Sequence, residues 1–183
     1  MAEIHLVRHG RAAAGWDIDV DPPLDDLGRT QARAVADELG PLGPLAVVTS
    51  PLRRCRETAD VYAAPRALAP LVASEVREIP SPEGYVMGER VEWLRTVMAG
   101  EWGALGPRYT GYRDGVVDFV VGLDGPTVVF SHFVAINAVI GACLDDDRLV
   151  IRRLDNCSVT TVSNDAGALR LVAGGSEADT LIR

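Results

Sequence analysis

The sequence predicts an α/β fold, a three-layer α/β/α sandwich around a mostly parallel central sheet. Three observations lead there. Two continuous apolar runs bounded by turn signals, residues 45–49 and 126–131, have the character of buried parallel strands. Each is followed by a helical pattern, and strands that alternate with helices pack with helices on both faces of one sheet. At 183 residues the chain is about one domain long, so residues 1–183 are read as a single domain.

The elements follow in order. Residues 4–8 are a short, mostly apolar run that ends in polar residues, a first strand. Residues 26–39 place Leu27, Ala34, Val35 and Leu39 on one helical face before the chain turns through Gly40-Pro41. After the strand at 45–49, Ser50-Pro51 reads as an N-cap with proline at the first helical position, opening a helix to about residue 63. Residues 86–102 and 112–121 are helical in pattern, and 126–131 is a strand with a helix through 133–143 behind it. The end differs: 158–162 and 169–172 flank Asn164-Asp165-Ala166-Gly167, the pattern of a hairpin. In parallel sheets, sites gather at the carboxyl ends of strands. Three polar clusters fall there: Arg8-His9-Gly10, Ser50 with the helix after it, and Ser131-His132.

Composition excludes several chemistries. The chain has no lysine, and all 18 cations are arginine. A P-loop lysine, a Schiff-base lysine and a kinase lysine are therefore ruled out. Three histidines and three unpatterned cysteines disfavour a protein-built zinc site and a disulfide framework, and no metal or other cofactor is expected. No cysteine has an arginine six positions on, where Val61, Leu149 and Ser163 stand, which excludes a cysteine-dependent phosphatase. A net charge of −8 disfavours a nucleic-acid partner. No apolar run approaches the roughly 20 residues that span a bilayer, and the first residues lack a signal-peptide pattern. A cytoplasmic protein with no membrane partner is expected; no oligomeric state is read from the sequence.

His9 and His132 each end an apolar strand, 123 positions apart, and one sheet rim can hold both. Either alone is an ordinary strand-end residue; the company they keep is what counts. Arg8 abuts His9, and Arg53, Arg54 and Arg56 crowd a helix N-terminus, where the helix dipole favours carboxylates. A bound anion resolves that conflict, because guanidinium forks match phosphate oxygens and the helix start adds amide donors. Arg53 and Arg56 share one side of the helix and Arg54 faces elsewhere, so two of the three belong to a solvated face.

Four ordered segments resemble the histidine phosphatase superfamily, the phosphoglycerate mutase-like group. Leu6-Val7-Arg8-His9-Gly10 looks like its Arg-His-Gly signature, and residues 23–32 look like its "P-L-t-x-x-G-x-x-Q-A" segment. Residues 49–59 resemble its "S-P-L-x-R-x-x-x-T-A" helix start, and residues 128–132 its second-histidine strand. The resemblance implies that His9 attacks phosphorus and carries a phosphohistidine, with Arg8, Arg54 and His132 on the phosphoryl oxygens. It also implies a carboxylic acid near residue 78: Val76-Arg77-Glu78-Ile79 looks like that position, so Glu78 is taken as the acid that protonates the leaving group, with Glu75 and Glu83 the alternatives close by, read as exposed loop acids. The neighbouring charges should hold the His9 pKa down and keep it nucleophilic.

The chain departs from the family pattern in places. The hydroxyl residue and asparagine that often follow the first motif are replaced by Arg11-Ala12-Ala13, where Arg11 is a further candidate for phosphate contact. Phe133 stands where a glycine commonly follows the second histidine and is expected to narrow the pocket; Ser50 is the remaining candidate contact. Ile79-Pro80-Ser81-Pro82 does not match the mutase pattern after the acid, which favours a phosphatase over a phosphoglycerate mutase. The other alternative is a non-catalytic binder of phosphorylated ligands, for which Glu78 has no use. Substrate identity stays open between small-molecule phosphoesters and phosphoproteins. Trp16, Trp93, Trp102, Tyr85 and Met87 are read as core packing before lid lining, and Asp145-Asp146-Asp147 as a solvated loop. Asn156 and Ser158 are expected to support the site from behind, and Cys55 to be packed.

Overall fold

A computed structural model describes residues 2–15 and 18–178. Six strands form one sheet in the order β3-β2-β4-β1-β5-β6. The strands β1 (Ala2–Arg8), β4 (Thr127–Ser131), β2 (Ala46–Thr49) and β3 (Leu71–Val72) run parallel. The chain then closes with β5 (Val159–Asp165), antiparallel to β1, and β6 (Ala168–Ala173), antiparallel to β5. Ala166 and Gly167 both have positive φ (52° and 91°) between these two strands, the pair a tight two-residue hairpin turn requires.

Strand alternation divides the interior into two cores. Val7, Val47, Val128 and Phe130 pack against α1 (Asp26–Leu39) and α2 (Arg53–Ala63). Ile4, Leu6, Val48 and Val129 face α5 (Phe133–Leu144), with α3 (Met87–Val97) and α4 (Pro107–Val121) completing that layer. Residues 133–141 of α5 are buried on every side, as expected of a helix covered by both the sheet and a second helix. None of the helices of the described residues is long and apolar enough to cross a membrane.

The structure differs from the sequence-based expectations in five places. Ser50 does not cap α2: the helix starts at Arg53 after an extended Leu52. Its amide cap comes from a distant loop, where Asp21 Oδ1 accepts the Arg53 N–H at 2.6 Å, a tertiary contact no local pattern announces. The buried face of α1 is Gly28, Ala32, Val35, Ala36 and Leu39, while Leu27 and Ala34 are exposed. That rotation follows from a backbone crossing. A Cβ on Gly28 would lie 2.1 Å from the Arg11 carbonyl oxygen, and one on Gly10 would lie 2.6 Å from the Gly28 oxygen. Only glycines allow α1 to approach the loop after β1 so closely. The helical pattern at 86–102 ends at Val97, and Trp102 sits in a separate turn. The next helix opens early, at Pro107 after Gly106 (φ 86°), and β3 is an added two-residue edge strand.

Candidate active site

Parallel register places the three polar clusters side by side. Arg8 pairs with Ser131 and Thr49 with Phe130. The chain leaves β1, β2 and β4 together, with the His9 N–H on the Ser131 oxygen and the Ser50 N–H on the Phe130 oxygen, both at 3.0 Å. The imidazole rings of His9 and His132 meet edge to face, 5.2 Å between centroids.

Arg54, the second residue of α2, lies between the two rings and is buried. Its Nε donates to His9 Nε2 at 3.1 Å, and its Nη2 donates to His132 Nδ1 at 3.1 Å. A guanidinium has only donors, so both nitrogens present lone pairs. His9 accordingly carries its proton on Nδ1, which donates to the Gly10 oxygen at 2.8 Å. Burial pushes the His9 pKa well below the usual histidine range, and the charges of Arg54 and Arg8 push the same way. His132 is lowered for the same reasons, burial first and then Arg54. Arg53 and Arg56 are exposed, and Arg53 pairs with Glu57 at 2.7 Å, so only Arg54 of the three turns inward.

Arg8 points its Nη1 at the Leu154 oxygen, 2.6 Å away, and its guanidinium lies 5.2 Å from the centre of the Phe133 ring. Its buried Nε has no hydrogen-bond partner among the described residues. Phe133 therefore does more than narrow the pocket, because its ring supports a cation. Asn156 donates to the His9 carbonyl at 2.9 Å and holds the strand end from behind. Ser158 sends its backbone oxygen, not its hydroxyl, to the Arg8 N–H. Cys55 is fully buried, with its thiol 3.3 Å from the Ser131 oxygen.

Glu78 comes from the segment after β3. Ser131 Oγ donates to the Val76 oxygen at 2.7 Å, and the Tyr112 hydroxyl donates to the Arg77 oxygen at 2.8 Å, which clamps the chain just before the carboxyl. Glu78 Oε1 accepts the Ile79 N–H, and Oε2 lies 4.0 Å from His132 Nδ1. Burial raises the Glu78 pKa above the usual carboxylate range, opposed by Arg54 and Arg8. Such a carboxyl can hold a proton and release it beside two guanidinium groups.

These groups sit in a cleft of about 1240 Å³ that Arg8, His9, Arg54, Glu78 and Phe133 line. Arg11 reaches its rim, tied to Asp25 at 2.5 Å and with its N–H on Gln31 Oε1. Ser50 is fully buried behind His132, its Oγ 2.8 Å from Nε2, and is no phosphate contact. Asp155 and the α3 residues Val91, Leu94 and Arg95 also line the cleft, and no motif in the sequence marked them. The aromatic residues of 80–112 do not: Trp102 is buried in the core and Trp93 stacks on Tyr109 at 5.5 Å. Tyr85 is exposed; Trp16 and the Met87 side chain lie outside the described residues. Asp146 pairs with Arg148 and Asp147 with Arg113 on an exposed loop. Among the described residues no cluster of histidine, cysteine and carboxylates is arranged to hold a metal.

Comparison with known proteins agrees with this architecture. The family model described as the histidine phosphatase superfamily (branch 1) matches residues 4–89. A probable phosphoglycerate mutase GpmB of Yersinia pestis is 26% identical over 184 residues, covering 88% of this chain and 85% of its own. YhfR of Bacillus stearothermophilus shares the fold with a TM-score of 0.80 at 21% identity, over 97% of this chain and 98% of its own. Phosphoserine phosphatase of Entamoeba histolytica, solved with 3-phosphoglyceric acid, gives 0.76 at 22% identity, over 96% and 98%. The chain is thus similar to the histidine phosphatase superfamily over residues 4–89, and it shares the fold of these solved structures.

Proposed function

We propose that the protein is a metal-independent phosphomonoesterase that works through a phosphohistidine on His9. The observation that carries this reading is the tautomer of His9, whose Nδ1–H is held by the Gly10 oxygen so that the Nε2 lone pair faces the cationic centre of the site. In the first step Nε2 attacks phosphorus, the P–N bond forms and the P–O bond to the alcohol breaks. Glu78 gives its proton to the departing oxygen. Arg8 and Arg54 surround the phosphoryl oxygens, where transition-state charge lies, and the buried His132 behind them holds the Arg54 guanidinium. In the second step water attacks phosphorus, Glu78 takes the water proton, the P–N bond breaks and phosphate leaves.

Two alternatives are weighed against this. A mutase would return the phosphoryl group to a second hydroxyl, and the name of the Yersinia relative favours it. The Ile79-Pro80-Ser81-Pro82 segment favours capture by water. A non-catalytic binder has no need of a clamped, proton-holding Glu78. The substrate is a small-molecule phosphoester or a phosphoprotein. A reducing compartment, the cytoplasm, suits Cys55, Cys143 and Cys157, which are all free thiols.

The test is hydrolysis of an aryl phosphate with and without chelator, beside trapping of labelled phosphoenzyme. Wild type should release phosphate, resist the chelator and yield an acid-labile phosphoenzyme that His9→Ala lacks. Full activity in His9→Ala would refute the mechanism, and chelator sensitivity would refute metal independence. Transfer to a diol in preference to water would make the protein a mutase.

A further inference from the structure

We infer that Ser50 is a positioning residue that fixes the tautomer of His132, so that Nε2 carries the proton and the Nδ1 lone pair holds the Arg54 guanidinium. The inference rests on the phosphatase reading only for what the tautomer is used for. The tautomer itself follows from contacts in the fold.

The Arg54 guanidinium can only donate, so its contact at 3.1 Å leaves His132 Nδ1 with a lone pair. A neutral imidazole then carries its proton on Nε2, and the acceptor 2.8 Å away is Ser50 Oγ. Ser50 is fully buried at the end of β2, and its Oγ also accepts the Leu52 N–H at 3.3 Å, which fixes where the oxygen sits. Cys55 Sγ is 3.3 Å from the same Nε2. Sulfur is the weaker acceptor, and this thiol donates its own proton to the Ser131 oxygen, so the hydroxyl sets the ring.

The groups facing His132 come from every neighbouring element. They are Arg54 and Cys55 on α2, Ser50 after β2, Glu78 after β3, and Arg8 and His9 at the end of β1. None besides Ser50 offers Nε2 a strong acceptor. The two imidazoles of the site are therefore held as opposite tautomers by different means. A backbone carbonyl takes Nδ1–H of His9, while a side-chain hydroxyl takes Nε2–H of His132. Only the second can be changed by mutation, and it turns Nδ1 of His132 toward the same guanidinium that faces His9 Nε2.

Imidazole ¹⁵N NMR at slightly alkaline pH tests this directly, since the chain has only His5, His9 and His132 to assign. Wild type should show Nε2 of His132 as the protonated, pyrrole-type nitrogen and Nδ1 as pyridine-type, with the reverse for His9. Ser50→Ala should erase the His132 preference, leave the His9 pattern intact and lower kcat/KM about tenfold, the size of one net hydrogen bond. Ser50→Thr should restore both. A wild-type spectrum with the proton on Nδ1 of His132, or a folded Ser50→Ala that keeps the wild-type pattern, would overturn the assignment. The spectrum needs no substrate, so a protein that hydrolyses nothing refutes the phosphatase reading and is told apart from a failure here.

Discussion

Replacing Glu78 by glutamine removes a proton and little else. The amide retains the oxygen that accepts the Ile79 N–H at 3.0 Å, and its NH2 takes the place of Oε2, 4.0 Å from His132 Nδ1. The clamps on the Val76 and Arg77 carbonyls do not involve the side chain, so the segment stays in place. What is lost is a carboxyl that burial keeps protonated to higher pH than a surface acid. A positioned general acid contributes about 10²–10⁴-fold, or roughly 3–5 kcal/mol of barrier. That loss should appear in full with an alkyl phosphate, whose alkoxide cannot leave unprotonated. It should nearly vanish in the first step with p-nitrophenyl phosphate, whose phenolate leaves without help. The assay is phosphate release from both substrates, wild type beside Glu78→Gln, with single-turnover phosphoenzyme formation to isolate the first step. An equal loss of first-step rate on the two leaving groups would refute the proton-donor role, and no loss on the alkyl ester would remove Glu78 from the mechanism.

Other outcomes follow from the same geometry. Arg54→Lys replaces a fork that reaches both imidazoles with one ammonium, so kcat/KM should fall about 10²–10³-fold, while exposed Arg56→Ala stays near wild type in the same phosphate-release assay. His9 and His132 are both held neutral by burial, with folded pKa values depressed below the unfolded value. The unfolded chain therefore binds more protons below about pH 6.5, and stability should drop as pH falls from there, by up to about 2.7 kcal/mol per pH unit for two groups. Burial lowers His5 in the same sense and the raised Glu78 opposes it, so urea midpoints between pH 7 and pH 5 should fall less steeply in His9→Asn than in wild type; an unchanged slope would remove His9 as a source. Gly28→Ala drives a Cβ to 2.1 Å from the Arg11 oxygen and should cost about 1–3 kcal/mol in urea unfolding, a cost absent if α1 simply shifts outward.

Much of the site was legible because its residues lie in short local patterns. Arg8-His9-Gly10 at a strand end and Arg54 at a helix start are read from neighbours in the chain, and so is the inward turn of Arg54 between outward Arg53 and Arg56. Glu78 stands in a weaker pattern, and its place is secured by Ser131 and Tyr112, which no spacing ties to it. Ser50 illustrates the limit of local reading. Its pattern with Pro51 suggests a helix cap, yet its hydroxyl faces a histidine 82 positions away, while Asp21 caps the helix. Phe133 looks like an obstruction in the chain and is a support for Arg8 in the fold.

By itself, the sequence determined which chemistries were open. Without lysine, and with arginines against a helix dipole, guanidinium groups are what the chain has to hold a phosphate, while attack by His9 is what the family resemblance implies. The tertiary structure alone decided which nitrogen of each imidazole is free. Those choices depend on contacts such as Arg54 with His9 and His132, and Ser50 with His132, between residues 45 to 82 positions apart. Sheet register and the close crossing of Gly10 and Gly28 set such contacts, whereas local pattern reaches only a turn or two along the chain.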